Sequence, residues 1–256
     1  MSNSNAKLIF SVKNGSKTFS NVEILNKIQL ELKEGEFVSI LGPSGSGKST
    51  LLKLLAGLDD WSSGEQIQDS NISRSFVFQD PNLLNWRTVL ENTHLPLEFK
   101  SNQQDPSVWV TLAQEVLKLV QLDSSSHLYP HELSGGMKMR TSLARAFINK
   151  PRLLFMDEPF AALDEPTRET LQEQLREIWK TQQTTIVFVT HSIQEALFLS
   201  NRIIFLNGRP ASIVNDCNIN LPIDRTSSTR TSQDYFEALT DLRKQVHADI
   251  VSGAQS

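Results

Sequence analysis

Gly42-Pro43-Ser44-Gly45-Ser46-Gly47-Lys48-Ser49-Thr50 decides how the rest of the chain is read. It satisfies the pattern G-x-x-x-x-G-K-[ST]. The apolar run Phe37-Val38-Ser39-Ile40-Leu41 precedes it, and Leu51, Leu52, Leu54, Leu55 and Leu58 follow at helical spacing. The expectation is a strand, a glycine-rich loop and a helix. The glycines allow backbone N–H groups to turn inward around phosphate oxygens at the positive end of that helix. Lys48 would bring a charge to the outer phosphates, and Ser49 a hydroxyl to Mg²⁺. Average residue usage gives a chance match in a chain of this length a probability of about one in a hundred; the competing reading is a flexible Gly/Ser turn.

Two further segments fit the same chemistry. Leu153-Leu154-Phe155-Met156-Asp157-Glu158 is an apolar strand ending in two carboxylates, which would set acids beside a metal at the carboxyl edge of a parallel sheet. Asp157 would hold Mg²⁺ through its water shell, and Glu158 could orient or deprotonate the attacking water. Leu133-Ser134-Gly135-Gly136-Met137 precedes Leu143, Ala144, Ala146 and Phe147 and reads as a second glycine-rich helix start. Ser134 acting only as a helix cap is the alternative there.

Elsewhere, residues 8 to 41 alternate apolar and polar positions in short runs, as strands do. Residues 86 to 150 are mostly helical in pattern, interrupted at Pro106, Ser124 to Ser126 and Pro130. Thr185-Ile186-Val187-Phe188-Val189 is a continuous apolar run suited to a parallel strand buried on both faces, and residues 166 to 180 before it read as a helix. From Asp216 to Asp234 the chain reads as a polar loop, ahead of a last amphipathic helix with Tyr235, Leu239, Leu242, Val246 and Ile250 on one side.

Composition narrows the classes. The 256 residues are 39% hydrophobic and 21% charged, which excludes a disordered, collagen-like or coiled-coil chain. Lys and Arg number 25 against 29 Asp and Glu, for a formal net charge of −4 with no long basic run, so nucleic acid is not expected as a ligand. The single cysteine, Cys217, cannot form an intramolecular disulfide, and a free thiol in a reducing compartment is expected. Met1 to Lys7 is polar and lacks the apolar region of a secretory signal. No stretch of about 18 apolar residues occurs, so any membrane role is expected to come through a partner.

Two phosphate-type cradles exceed the need of one nucleotide, and here the chain resembles the ABC ATPases, whose Ser-Gly-Gly segment completes the site of an opposing subunit. The resemblance covers nearly the whole chain, with the motifs in the family order. It implies an α/β fold, a P-loop NTPase (RecA-like) core with N-terminal antiparallel strands and an inserted α-helical subdomain. The single ATPase domain would divide into a core at 1–85 and 150–215, a helical subdomain at 86–149 and a C-terminal loop and helix at 216–256. Phe19, 29 positions before Lys48 (48 − 19), matches the aromatic that stacks on adenine, a core aromatic being the alternative. Gln79, in Phe76-Val77-Phe78-Gln79-Asp80, matches the glutamine that reaches Mg²⁺ and the attacking water, against a surface amide in a turn. Ala162-Leu163-Asp164 matches a loop crossing the dimer interface, and His191 the histidine at the γ-phosphate. His94, His127, His131 and His247 match no family position.

Met137 and Met139 depart from the commonest signature. Phe78-Gln79-Asp80-Pro81, Leu83-Leu84-Asn85-Trp86 and Thr88-Val89-Leu90-Glu91-Asn92 are similar to the importer branch that handles nitrate, sulfonates and taurine, except that Asn85 replaces a typical proline. The tail Leu221-Pro222-Ile223-Asp224-Arg225 with Phe236, Leu239 and Arg243 looks like the same branch. The resemblance implies ATP and Mg²⁺ as cofactors, a homodimer on ATP binding, transmembrane permease subunits and, indirectly, a solute-binding protein. It implies a peripheral place on the cytoplasmic face of the cell membrane, with Trp86 either presented to the permease or buried in the helical subdomain. Rival readings are an ABC ATPase driving a non-import membrane process, a soluble ABC ATPase on DNA ends or ribosomes, and an ordinary phosphoryl-transfer kinase with the same phosphate loop, which would have no use for Leu133 to Met137. Neither the coiled-coil insertion nor the tandem domains that the soluble reading needs is expected in these 256 residues.

Overall fold

The structure, a computed structural model, describes residues 7–69, 71–99 and 105–253. Most of the N-terminal segment read above against a secretory signal, residues 1–6, lies outside the described residues. In chain order the elements are β1 (Leu8–Phe19), β2 (Val22–Lys33), β3 (Phe37–Leu41), α1 (Lys48–Ala56), β4 (Ser63–Gln68), β5 (Arg74–Val77), α2 (Val89–Glu98), α3 (Pro106–Leu119), α4 (Gly135–Phe147), β6 (Leu153–Asp157), α5 (Glu165–Gln182), β7 (Thr185–Val189), α6 (Ile193–Leu199), β8 (Arg202–Gly208), β9 (Ala211–Asn218) and α7 (Gln233–Gly253). The chain divides into two compact units, Met1–Ile72 with Gln183–Ser256, and Ser73–Gln182.

In the first unit the strands run in the order β4-β1-β2-β9-β8-β3-β7. The N-terminal strands are antiparallel, β1 pairing with β2 and β4, whereas β3 lies parallel to both β7 and β8. Every residue of β3 and of β7 is buried, the form taken by parallel strands covered on both faces. The core gathers Phe37, Ile40, Leu51, Leu55, Val187 and Phe198. The second unit holds the parallel pair β5 and β6 with helices α2 to α5. Pro106 opens α3 as its first residue, where a missing N–H breaks no helical bond. Thr88 caps α2, its hydroxyl accepting from the Glu91 N–H while the Glu91 carboxylate accepts from the Thr88 N–H.

Three expectations are corrected. Helix α1 stops at Ala56 because Gly57 turns left-handed, so Leu58 falls beyond it and stands 56% exposed. The polar loop begins later than Asp216, since β9 continues to Asn218 through antiparallel pairing with β8. A one-turn helix, Ser227–Thr231, interrupts that loop. On α7, Tyr235, Leu239 and Leu242 are buried and Val246 is half-buried, as the amphipathic pattern requires.

Candidate nucleotide site

The glycine-rich loop leaves β3 at its carboxyl end and enters α1 at Lys48. Gly45 and Gly47 hold φ of 77° and 85°, left-handed values that side chains disfavour, and Gly47 is the residue that caps α1. At Gly42 a Cβ would stand 2.3 Å from the Leu206 carbonyl oxygen and 2.8 Å from Ser46 Oγ. Gly42→Ala therefore forces backbone apart. We expect a loss of about 1–3 kcal/mol in stability by denaturant unfolding, together with weaker nucleotide binding. An alanine variant with wild-type unfolding would contradict this geometry.

Lys48 is only 5% exposed, and its ammonium donates to the carbonyls of Gly42 at 3.0 Å and Pro43 at 2.9 Å. Its charge is thus held inside the loop by acceptors that a phosphate can replace. Pro43, Ser44, Gly45 and Ser49 are exposed, Thr50 is half-buried, and Ser46 Oγ is buried with no hydrogen-bond partner. No acidic residue sits in the first turn of α1 to offset its positive end.

Parallel register sets His191 near this loop. Ile40 pairs with Val189, so Gly42 and His191 each lie two positions past one paired couple, at the same strand edge. His191 is exposed, between two residues fixed by hydrogen bonds: Thr190 Oγ1 donates to the Glu195 carboxylate and accepts from the Ser192 N–H at 3.0 Å. Phe19 ends β1 and is 45% exposed, which leaves its ring available and argues against a core role. The Lys17 ammonium lies 4.6 Å from the ring centroid and pairs with Asp59 at 2.7 Å. That hydrogen bond, followed by one from the Asp60 N–H, holds the Asp59 carboxyl below its ordinary pKa.

In the second unit, Val77 pairs with Met156, so Gln79 and Glu158 also sit two positions past one couple. Asp157 closes β6, half-buried, and Glu158 follows with φ of 43°, left-handed backbone that a non-glycine residue adopts at a cost of about 1–3 kcal/mol. Strain of this kind persists where surroundings over-determine a functional side chain. Gln79 is exposed. The segment after it is anchored by Arg145 of α4, whose guanidinium donates to the carbonyls of Pro81 and Asn82, and by fully buried Asn92. The Asn92 side chain accepts from the Leu84 N–H and donates to the carbonyls of Leu84, Arg87 and Thr88. Burial pushes the Arg145 pKa below its ordinary value. Asn92 enters the sequence reading only as the end of the run Thr88 to Asn92, with no anchoring role, and Arg145 not at all; an arginine between Leu143-Ala144 and Ala146-Phe147 was the available signal.

Ser134 caps α4, its hydroxyl accepting from the Met137 N–H at 3.3 Å. Ser134 and Gly135 are exposed, and Gly136 is buried so closely that a Cβ there would meet Thr167 Cγ2 at 2.5 Å. The Ser-Gly-Gly turn and the 162–164 loop are thereby brought together. The Asp164 carboxylate accepts from the Thr167 hydroxyl at 3.0 Å and the Thr167 N–H at 3.2 Å, which lowers its pKa, the hydroxyl bond more than the amide. Met139 is buried in the helical layer, so its departure from the common pattern serves the core.

The ABC transporter family profile matches residues 25–161. The chain is 41% identical over 237 residues to the aliphatic sulfonates import ATP-binding protein SsuB of Bacillus cereus, covering 90% of each. To the nitrate import ATP-binding protein NrtD of Synechocystis sp. it is 41% identical over 218 residues, 82% of this chain and 81% of that protein. Among solved structures, a dimeric ATP-binding cassette in a post-hydrolysis state, bound to ADP and Pi, superposes with a TM-score of 0.74 at 34% identity, over 84% of this chain and all of the other. With phosphate loop, capped Ser-Gly-Gly helix and acid-tipped strand in this order, the chain belongs to the ABC transporter family of ATP-binding proteins.

Proposed function

We propose that this chain is the ATP-hydrolysing subunit of an importer for a small oxyanion or organic anion, working as a homodimer beneath a transmembrane permease that receives solute from a binding protein. The supporting observation is the phosphate loop, with left-handed glycines and the buried Lys48 ammonium at the start of α1. Its backbone N–H groups and Lys48 take the β- and γ-phosphates, and Phe19 stacks on adenine. Ser49, Gln79 and Asp157 are all oxygen donors with a single carboxylate, which suits Mg²⁺ sharing its shell with phosphates and water. When bound, that ion offsets charge on the phosphate oxygens. Glu158 accepts the proton as water attacks the γ-phosphorus and the bond to the bridging oxygen breaks, leaving ADP and phosphate. His191 steadies the γ-phosphate, and Ser134 to Gly136 of the second copy close over it, with Asp164 at the interface. ATP then favours the closed dimer, and hydrolysis releases it.

Trp86 is 73% exposed, a large amphipathic ring suited to an interface. We expect Trp86→Ala to keep basal ATP hydrolysis and lose stimulation by the permease in proteoliposomes; undiminished stimulation would count against docking there. Among the described residues no helix is long and apolar enough to cross a membrane. In this reading the chain lies peripherally on the cytoplasmic face. The import names of the sulfonate and nitrate relatives support the solute class. Purification of tagged Glu158→Gln protein with ATP from mild-detergent extracts tests it: co-elution of a polytopic permease supports import, and recovery of soluble partners alone rejects it.

A further inference from the structure

The tail that begins at Pro222 is built onto α6, and α6 begins two residues after His191. Arg225 is 4% exposed. Its Nη1 donates to the carbonyls of Leu197 at 2.8 Å, Phe198 at 3.1 Å and Ser200 at 2.7 Å, and its Nε to the carbonyl of Pro222 at 2.8 Å. A short helix such as α6 leaves its last carbonyls without helical partners, and a guanidinium there both satisfies them and complements the negative end of the helix. At the other end, buried Tyr235 donates from its hydroxyl to the Gln194 carbonyl at 3.2 Å. Between them the Arg230 guanidinium stands 3.6 Å from the Phe198 ring centroid. The tail thus grips α6 at its C-terminal end, through Arg225 and Arg230, and near its start, through Tyr235.

Helix α6 in turn fixes the backbone at His191. Glu195, buried in its first turn, accepts from Thr190 on one side of His191, and its N–H donates to the Ser192 hydroxyl on the other at 3.3 Å. We infer that the tail Pro222–Tyr235 is a positioning clamp for His191, with Arg225 and Tyr235 as positioning residues that set the imidazole against the γ-phosphate through α6. The inference rests on the proposed role of His191. It gives the C-terminal segment a part in the hydrolytic cycle without any contact with nucleotide.

The test is a double-mutant cycle on the full chain, with steady-state ATP hydrolysis as readout. Arg225→Gln should lower kcat by about 3- to 30-fold, the range for coupling through a physical network, with KM for ATP changed less than about twofold. Arg225→Lys should recover part of that loss, and Tyr235→Phe, which removes one hydroxyl, should show a smaller loss of the same kind. In a His191→Ala background both effects should shrink to less than about twofold. If Arg225→Gln fails to fold, as judged by its thermal unfolding midpoint, Tyr235→Phe carries the test. Equal losses with and without His191, or none with His191 present, overturn the clamp while leaving His191 its role. A His191→Ala protein with wild-type kcat removes that role, and the clamp with it.

Discussion

Glu158→Gln is expected to lower kcat for ATP hydrolysis by about 10²–10⁴ while ATP binding is retained, the scale for removing a general base. Glutamine keeps the volume and the strand-end position of the side chain but cannot take a proton from water. The left-handed backbone at residue 158, with φ of 43°, is stabilised by its surroundings in either case, so the substitution tests chemistry rather than folding. Phosphate release and equilibrium nucleotide binding, measured on one preparation, separate the two. Wild-type turnover in the variant would remove Glu158 from the mechanism.

Lys48→Met is expected to weaken ATP binding by about 30- to 5,000-fold, which corresponds to about 2–5 kcal/mol for removing one partner of a desolvated charge pair. Methionine fills the space of the lysine stem and removes the ammonium that bonds the Gly42 and Pro43 carbonyls, so the loop loses an internal tie as well as its phosphate ligand. Titration calorimetry with ATP checks the size of the effect. A change below about threefold would mean that the backbone N–H groups alone hold the phosphates.

The two helix starts were legible because each writes its chemistry in contiguous residues: the glycines, Lys48 and Ser49 in one, Ser134 with two glycines in the other. Strands β3, β6 and β7 were legible for a related reason, since burial on both faces leaves an unbroken apolar run. Strand β4, Ser-Gly-Glu-Gln-Ile-Gln, has no such signature because it is almost wholly exposed and exists through its pairing with β1. The end of strand β9 reads as loop because Asp216, Cys217 and Asn218, two of them exposed, are held in a strand by pairing with β8, not by their own preference. Phe19, Gln79 and His191 became candidates only through family resemblance. Their local sequence carries no chemistry until strand register sets Gln79 level with Glu158, and His191 level with Gly42. Least legible were Arg145 and Arg225, whose partners lie 63 and 64 positions away for the first and 25 to 28 for most bonds of the second. Trp86, whose sequence allowed either burial or presentation, is exposed.

In the proposed cycle ATP joins two copies of this chain and hydrolysis parts them. Light scattering on purified Glu158→Gln protein, with ATP and then with ADP, measures it directly. Twice the monomer mass with ATP and the monomer mass with ADP is the predicted result. A monomer under both conditions, in a protein shown by calorimetry to have bound ATP, would contradict the account.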